Sequence, residues 1–218
     1  MYMKKDSKFA EGLCIKKVFW IFIFGCLFGT IWEMINHFTH YGTWVSRRAL
    51  IYEPFNPVYG AGAVIFMIFL IKYKNPLKIF IGGMLLGGGF EYLCSVIQEN
   101  IFGTISWDYS KHFMNINGRT TLPIMIAWGL LALLFVKVIY PFLSNKIEKI
   151  PIKIGNVITY VLLVIIIIDA SISTIACLRQ TQRDRGYKAS NDLEVFLDKH
   201  YSDDRLNKIY ENKKITKR

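Results

Sequence analysis

The chain has 218 residues, 53% of them hydrophobic, with a mean hydropathy of +0.31 and a formal net charge of +11. One ordinary domain fits that length, but the apolar content argues against a water-soluble fold. The basic residues sit at the ends of apolar runs and in the C-terminal tail, which points to lipid headgroups and away from nucleic acid as the partner.

Residues 1–17 form a polar, basic N-terminus with Lys4, Lys5, Lys8, Lys16 and Lys17. The apolar run from Val18 to about Phe38 is longer than a signal-peptide core and ends without a small-x-small cleavage site, so it predicts an uncleaved first span. A polar segment with Arg47 and Arg48 leads through Pro54-Phe55-Asn56-Pro57 into a second span, about 58–71. Lys72, Lys74 and Lys78 make a basic turn; a third span of about 79–97 and a polar loop to Thr121 follow. Pro123 opens the fourth span, about 122–143, and Lys146, Lys149 and Lys153 precede a fifth, about 155–178, that contains Asp169. The fold class is therefore all-α: a polytopic helical membrane protein with about five transmembrane helices and a polar C-terminal tail. In that tail, residues 179–218, Asn191 and Glu194 form a capping-box pattern ahead of Phe196 and Leu197, which predicts one or two short amphipathic helices. A partly ordered basic tail on headgroups or in solvent is the alternative.

One pattern occurs twice. Gly25-x-x-x-Gly29-x-x-x-Glu33 and Gly83-x-x-x-Gly87-x-x-x-Glu91 each place two glycines and an acid on one helix face. A polar loop with arginine follows in each case, then a proline-led helix with an aromatic-glycine pair, Tyr59-Gly60 or Trp128-Gly129. The expectation is one transmembrane domain, residues 18–178, made of two parallel two-helix repeats (about 18–71 and 79–143) plus the fifth helix. The N-terminus and the two short turns hold eleven Lys and Arg, against four in the two longer loops, which places the N-terminus in the cytoplasm and those loops outside. Five spans leave the tail outside too, although it carries eleven Lys and Arg.

A carboxylate at the bilayer centre costs about 2.5–3.5 kcal/mol, so Glu33, Glu91 and Asp169 must face protein, water or a partner charge. His37 continues the first stripe, and Ser95 and Glu99 the second. One reading is a polar interior whose acids bind a cation, take up protons or pair with Arg47, Arg48 or Arg119; the other has each acid hydrogen-bonded and serving only packing. Asp169 lacks a glycine stripe. The loop carries Trp107, Asp108, Tyr109, Asn115, Asn117 and Arg119: rings suited to headgroup level, an Asp108–Arg119 pair, and an Asn117-Gly118 turn. It reads equally as a ligand site or as a structural loop. Cys14, Cys26, Cys94 and Cys177 show no C-x-x-C pairing and read as small buried hydrophobes. No G-x4-G-K-[ST], H-E-x-x-H or G-x-S-x-G occurs, and Glu33 with His37 supplies too few ligands for a metal; no catalytic residue, metal or cofactor is assigned.

Pro54-Phe55-Asn56-Pro57-Val58-Tyr59-Gly60-Ala61-Gly62, Glu91 with Glu99, Phe102-Gly103, Trp107-Asp108-Tyr109-Ser110, Asn115, Gly118-Arg119, Leu122 and Trp128-Gly129 together resemble the bacterial family of ABC-transporter type IV, or CmpB-like, permeases. The resemblance runs from about Gly25 to Val138; Glu53 stands where a glycine is expected, and the tail lies outside it. It implies a multi-pass transport permease of the bacterial plasma membrane, with ATP entering only through a separate ATPase subunit. The leading expectation is an integral membrane transport component in which Glu33 and Glu91 line a helix interface and the 107–119 loop covers one end. The alternatives are an intramembrane or interfacial enzyme acting on lipid or peptide, with Glu33, Glu91 or Asp108 as acid or base, and a non-transporting sensor or partner subunit. Expected partners are the bilayer, the ATPase and further copies of the chain.

Overall fold

The computed structural model describes residues 8–216, so Lys4 and Lys5 of the basic N-terminus lie outside the described residues. Among the described residues, four helices are long and apolar enough to cross a membrane: α1 (Ile15–Tyr41), α3 (Pro76–Phe102), α4 (Leu122–Glu148) and α5 (Ile152–Asp184). Between the first two lies α2 (Pro57–Leu70), and two short helices, α6 (Asp192–His200) and α7 (Asp203–Ile209), follow α5. The protein is an all-α polytopic membrane protein.

The starts of these helices are written in sequence. Asn56 and Asn75 each accept from amides of the first turn, with proline next in the chain, and Thr121 caps α4 by accepting from the Ile124 amide. Within α4, Pro141 has no N–H to donate, and the backbone just before it widens into a π-turn over Phe135–Ile139.

Helix α2 falls within a residue of the expected second span, about 58–71, but is short for a crossing. Its 14 residues cover about 21 Å, short of the roughly 30 Å hydrocarbon core. Irregular chain precedes it. Residues 49–56 run alongside the middle of α1, where the Asn56 amide donates to the Cys26 carbonyl at 3.3 Å, and Leu50, Ile51 and Phe55 are buried. Non-helical backbone at that depth must have its polar groups satisfied by protein.

All the long connections share one end of the bundle. The 42–56 loop meets α5 there, the strand β1 (Thr104–Ile105) pairs antiparallel with β4 (Lys214–Ile215), and the Thr181 hydroxyl donates to the Phe102 carbonyl at 2.7 Å. The opposite end is closed by Phe9 against Gly155, by the buried Lys17 paired with Glu148 at 2.7 Å, and by Lys137 donating to the Lys74 carbonyl.

The tail is folded rather than loose. Arg179, Gln180 and Thr181, expected beyond the fifth span, are buried inside α5, which continues to Asp184. Arg179 donates from Nε and Nη2 to both oxygens of Asp198, each at 2.9 Å, and Arg183 bridges Asp198 and Asp203. Leu197, Tyr201, Leu206, Ile209 and Tyr210 then pack on Ala176 and Ile51. The cap of α6 is a variant of the expected box: Asn191 accepts from the Glu194 amide, but the Glu194 carboxylate reaches back to the Ser190 amide.

Candidate functional site

The two glycine stripes are surfaces of close approach. A Cβ placed on Gly29 would meet the Tyr59 ring at 2.2 Å, and one on Gly25 would meet Ala63 and Gly60 at 2.9 Å. The second helix pair repeats these contacts position by position: Gly87 faces Trp128 at 2.5 Å, and Gly83 faces Ala132 at 2.3 Å and Gly129 at 3.1 Å. Only glycine lets the backbones of α1 and α2, and of α3 and α4, come so near. The Tyr59 and Trp128 rings then meet each other, their centroids 5.9 Å apart.

Each acid lies one helical turn beyond its second glycine. Glu91 is 8% exposed; its Oε2 accepts from the Thr120 hydroxyl at 2.8 Å and its Oε1 from the Tyr109 hydroxyl at 3.3 Å, with the Trp128 side chain as a further partner. Glu33, half-buried, has Tyr59 as its hydrogen-bonding neighbour and Arg47 as the nearby positive charge. Tyr109 feels both carboxylates: burial first, then Glu91 and Glu33, pushes its phenol well above the ordinary tyrosine range. It therefore remains a neutral hydroxyl able to donate.

The loop that delivers Tyr109 is built by its own polar residues. Asn117 and Gly118 both have positive φ, 53° and 69°, and the Arg119 amide donates to the Ile116 carbonyl, closing a tight turn between β2 (Asn115–Ile116) and β3 (Thr120–Thr121). Asn115 donates to the Ser110 and His112 carbonyls and accepts from the Gly118 amide. Trp107 donates from its indole N–H to the Arg119 carbonyl at 2.9 Å. Asn117 reaches the Tyr92 hydroxyl.

The expected Asp108–Arg119 pair is replaced by two separate arrangements. Exposed Asp108 accepts from the Ser110 amide at 2.8 Å, and that amide and the Ser110 hydroxyl hold its carboxyl below the ordinary aspartate range. Arg119 instead pairs with Glu99 and donates to the Ser95 hydroxyl at 3.0 Å. Glu99 thus serves to anchor the loop on α3.

His37 turns its Nδ1 to the Thr43 carbonyl at 2.9 Å, and among the described residues no cluster of three or more potential metal ligands forms. Asp169 lies apart from Glu33 and Glu91 and has a different task. Its carboxylate accepts from the Ile51, Tyr52 and Glu53 amides at 3.2, 3.1 and 2.8 Å, and from the Ser173 hydroxyl at 3.0 Å. These are the amides of the irregular segment beside α2, which explains why an acid is tolerated halfway along α5. Arg48 lies near the tail, lining a pocket with Arg205 and Lys208.

Sequence reasoning missed Thr120, Tyr59 and Trp128 as partners of the acids. Tyr59 and Trp128 stood out as aromatic-glycine pairs, but only the fold shows that their rings face Glu33 and Glu91. Thr120 carried no signal beyond its place in the Gly118-Arg119-Thr120 run.

The family model described as "Putative ABC-transporter type IV" matches residues 20–174, a stretch that contains both glycine-acid helices, the turn at Asn117-Gly118 and Asp169. No curated protein and no solved structure matches the chain. The match covers most of the chain, from within α1 to within α5, and the chain belongs to the ABC-transporter type IV family of multi-pass membrane proteins.

Proposed function

We propose that the chain is the membrane-embedded component of a transporter, and that Glu33 and Glu91 together form its cation- or proton-accepting site. One observation carries the reading: Tyr109, brought in by the loop, lies in the field of both carboxylates while Tyr59 and Trp128 meet between them. Two acids sharing one polar cluster inside an apolar bundle are the arrangement expected where a positive charge is taken up. In this reading α1–α2 and α3–α4 are duplicated units, supported by the matched contacts of Gly25, Gly29, Tyr59 and Ala63 with those of Gly83, Gly87, Trp128 and Ala132. Their contact at Tyr59 and Trp128 is the seam between the units.

The chain has no nucleotide-binding motif, so ATP use belongs to a separate subunit. The bacterial plasma membrane is its site, with the N-terminus cytoplasmic and the Tyr109 loop outside, as the Lys and Arg bias of the short connections favours. The test is purification with native partners, reconstitution into vesicles, and uptake of protons, sodium, potassium and methylammonium. Glu33→Gln and Glu91→Gln are expected to reduce flux of one of these at least tenfold with insertion unchanged. Full flux in both variants assigns the acids to packing, and a lone chain that modifies added lipid replaces the transporter with an enzyme.

A further inference from the structure

Between the irregular segment before α2 and helix α7 lies a pocket of about 610 Å³, separate from the Glu33–Glu91 cluster. Arg48, Arg205 and Lys208 line it against a single carboxylate, Asp204, and Ile51 and Tyr52 give it an apolar side. The buried Nε of Arg48 has no hydrogen-bond acceptor, an unusual condition for a guanidinium N–H. Arg205 is held in place: Nη1 donates to the His200 carbonyl at 2.7 Å, and the guanidinium lies 5.9 Å from the Tyr52 ring centroid and 5.1 Å from that of Tyr201. Tyr52 and Tyr201 are themselves joined hydroxyl to hydroxyl at 2.8 Å.

We infer that this pocket binds a phosphate group, presented by an anionic lipid headgroup or as a free phosphate. Two guanidinium groups and an ammonium suit the oxygens of a phosphate monoester or diester. The excess of positive charge remains after Asp204 is counted. The pocket is lined by the start of the irregular segment and by α7, on the tail that follows α5. Tyr52 offers an apolar edge to a glycerol backbone, and Asp204 an acceptor to a headgroup hydroxyl. Occupancy bears on the bundle, because Ile51 and Tyr52 are also the residues whose amides Asp169 holds.

The experiment uses the full chain, in nanodiscs mixing phosphatidylglycerol with phosphatidylcholine and in detergent with inorganic phosphate. The wild-type chain is expected to retain phosphatidylglycerol about tenfold over phosphatidylcholine, and Arg48→Gln and Lys208→Glu each to bring that ratio close to one. Should the lipids bind alike while inorganic phosphate raises the melting temperature of wild type and not of the variants, the site stands and its ligand is free phosphate. If wild type and variants behave alike in both measurements, the inference fails. Lys208 is exposed, so Lys208→Glu carries the test even where Arg48→Gln misfolds.

Discussion

Thr120 donates its hydroxyl proton to Glu91 Oε2 at 2.8 Å across the junction between loop and bundle. Both side chains are almost wholly buried, Thr120 at 2% exposure and Glu91 at 8%. Thr120→Val keeps the shape and removes the donor, leaving one carboxylate oxygen short of a partner. The expected cost is about 1–3 kcal/mol of stability, with Thr120→Ser close to wild type. Thermal unfolding of the detergent-solubilised chain measures both, and equal melting of Val and wild type would show that the contact contributes nothing.

The glycine stripes make a sharper steric prediction. Gly29→Ala and Gly87→Ala each drive a methyl group into an aromatic ring, Tyr59 or Trp128, whereas a Cβ on Gly89 meets nothing within 4 Å. Overpacking of this kind costs about 1–3 kcal/mol or more when the ring cannot move. Gly89→Ala is expected to express and melt as wild type while the other two lose folded yield. Similar behaviour of all three variants would mean that the helices separate at little cost.

Those stripes were legible in the chain because period and residue type alone define them. The turn at Asn117-Gly118 was legible for the same reason: few other dipeptides accept two positive φ values in succession. Asp169 was not. Its partners are backbone amides more than a hundred positions away, and backbone amides look the same in every sequence. The folding of the tail escaped for a related reason, since Arg179, Arg183, Asp198 and Asp203 read as a mixed-charge surface until α6 and α7 bring them together. Arg119 was assigned the nearer acid, Asp108, but the hairpin turns it to Glu99 on α3.

Asp169 predicts a local effect. With Asp169→Asn the segment loses a charged acceptor shared by three amides, and one side-chain oxygen becomes a donor group. Hydrogen exchange at Ile51, Tyr52 and Glu53 is expected to speed up by about tenfold or more, since hydrogen bonds to charged groups contribute about 1.5–3 kcal/mol each. Unchanged exchange at these three amides would show that the segment is held by the packing of Leu50 and Phe55 instead.

Docking of the tail depends on pH. Hydrogen bonds from Arg179, with Arg183 adding to them, pull the Asp198 carboxyl from its ordinary value near 3.8 down to about 2. A group depressed in the folded state stabilises it above the unfolded pKa and loses that contribution as pH falls through the folded value. Tail stability is therefore expected to be flat above about pH 5 and to decline between about pH 4 and 2, by at most about 2 kcal/mol given that Asp198 is partly exposed. Asp198→Asn should remove that decline, measured by exchange of the α6 and α7 amides across the pH range. A decline that persists in the variant would assign it to other carboxylates.

The connections make the last prediction. Thr104 and Ile105 pair with Ile215 and Lys214, so the Tyr109 loop and the tail lie at the same end of the bundle. In a chain freed of its four native cysteines, Ser110→Cys and Ser202→Cys are therefore expected to react with a membrane-impermeant maleimide from one and the same side, and Lys149→Cys, exposed in the turn before α5, from the other. Labelling of positions 110 and 202 from opposite faces would break the β1–β4 pairing and with it the arrangement of the tail. The charge bias of the short connections places that shared side outside the cell. The tail adds eleven Lys and Arg to it, however, and these must cross with the loop. Arg179 and Arg183 are paired with acids in the folded tail, but translocation precedes that pairing, so the direction of labelling tests whether the short turns or the tail sets the orientation.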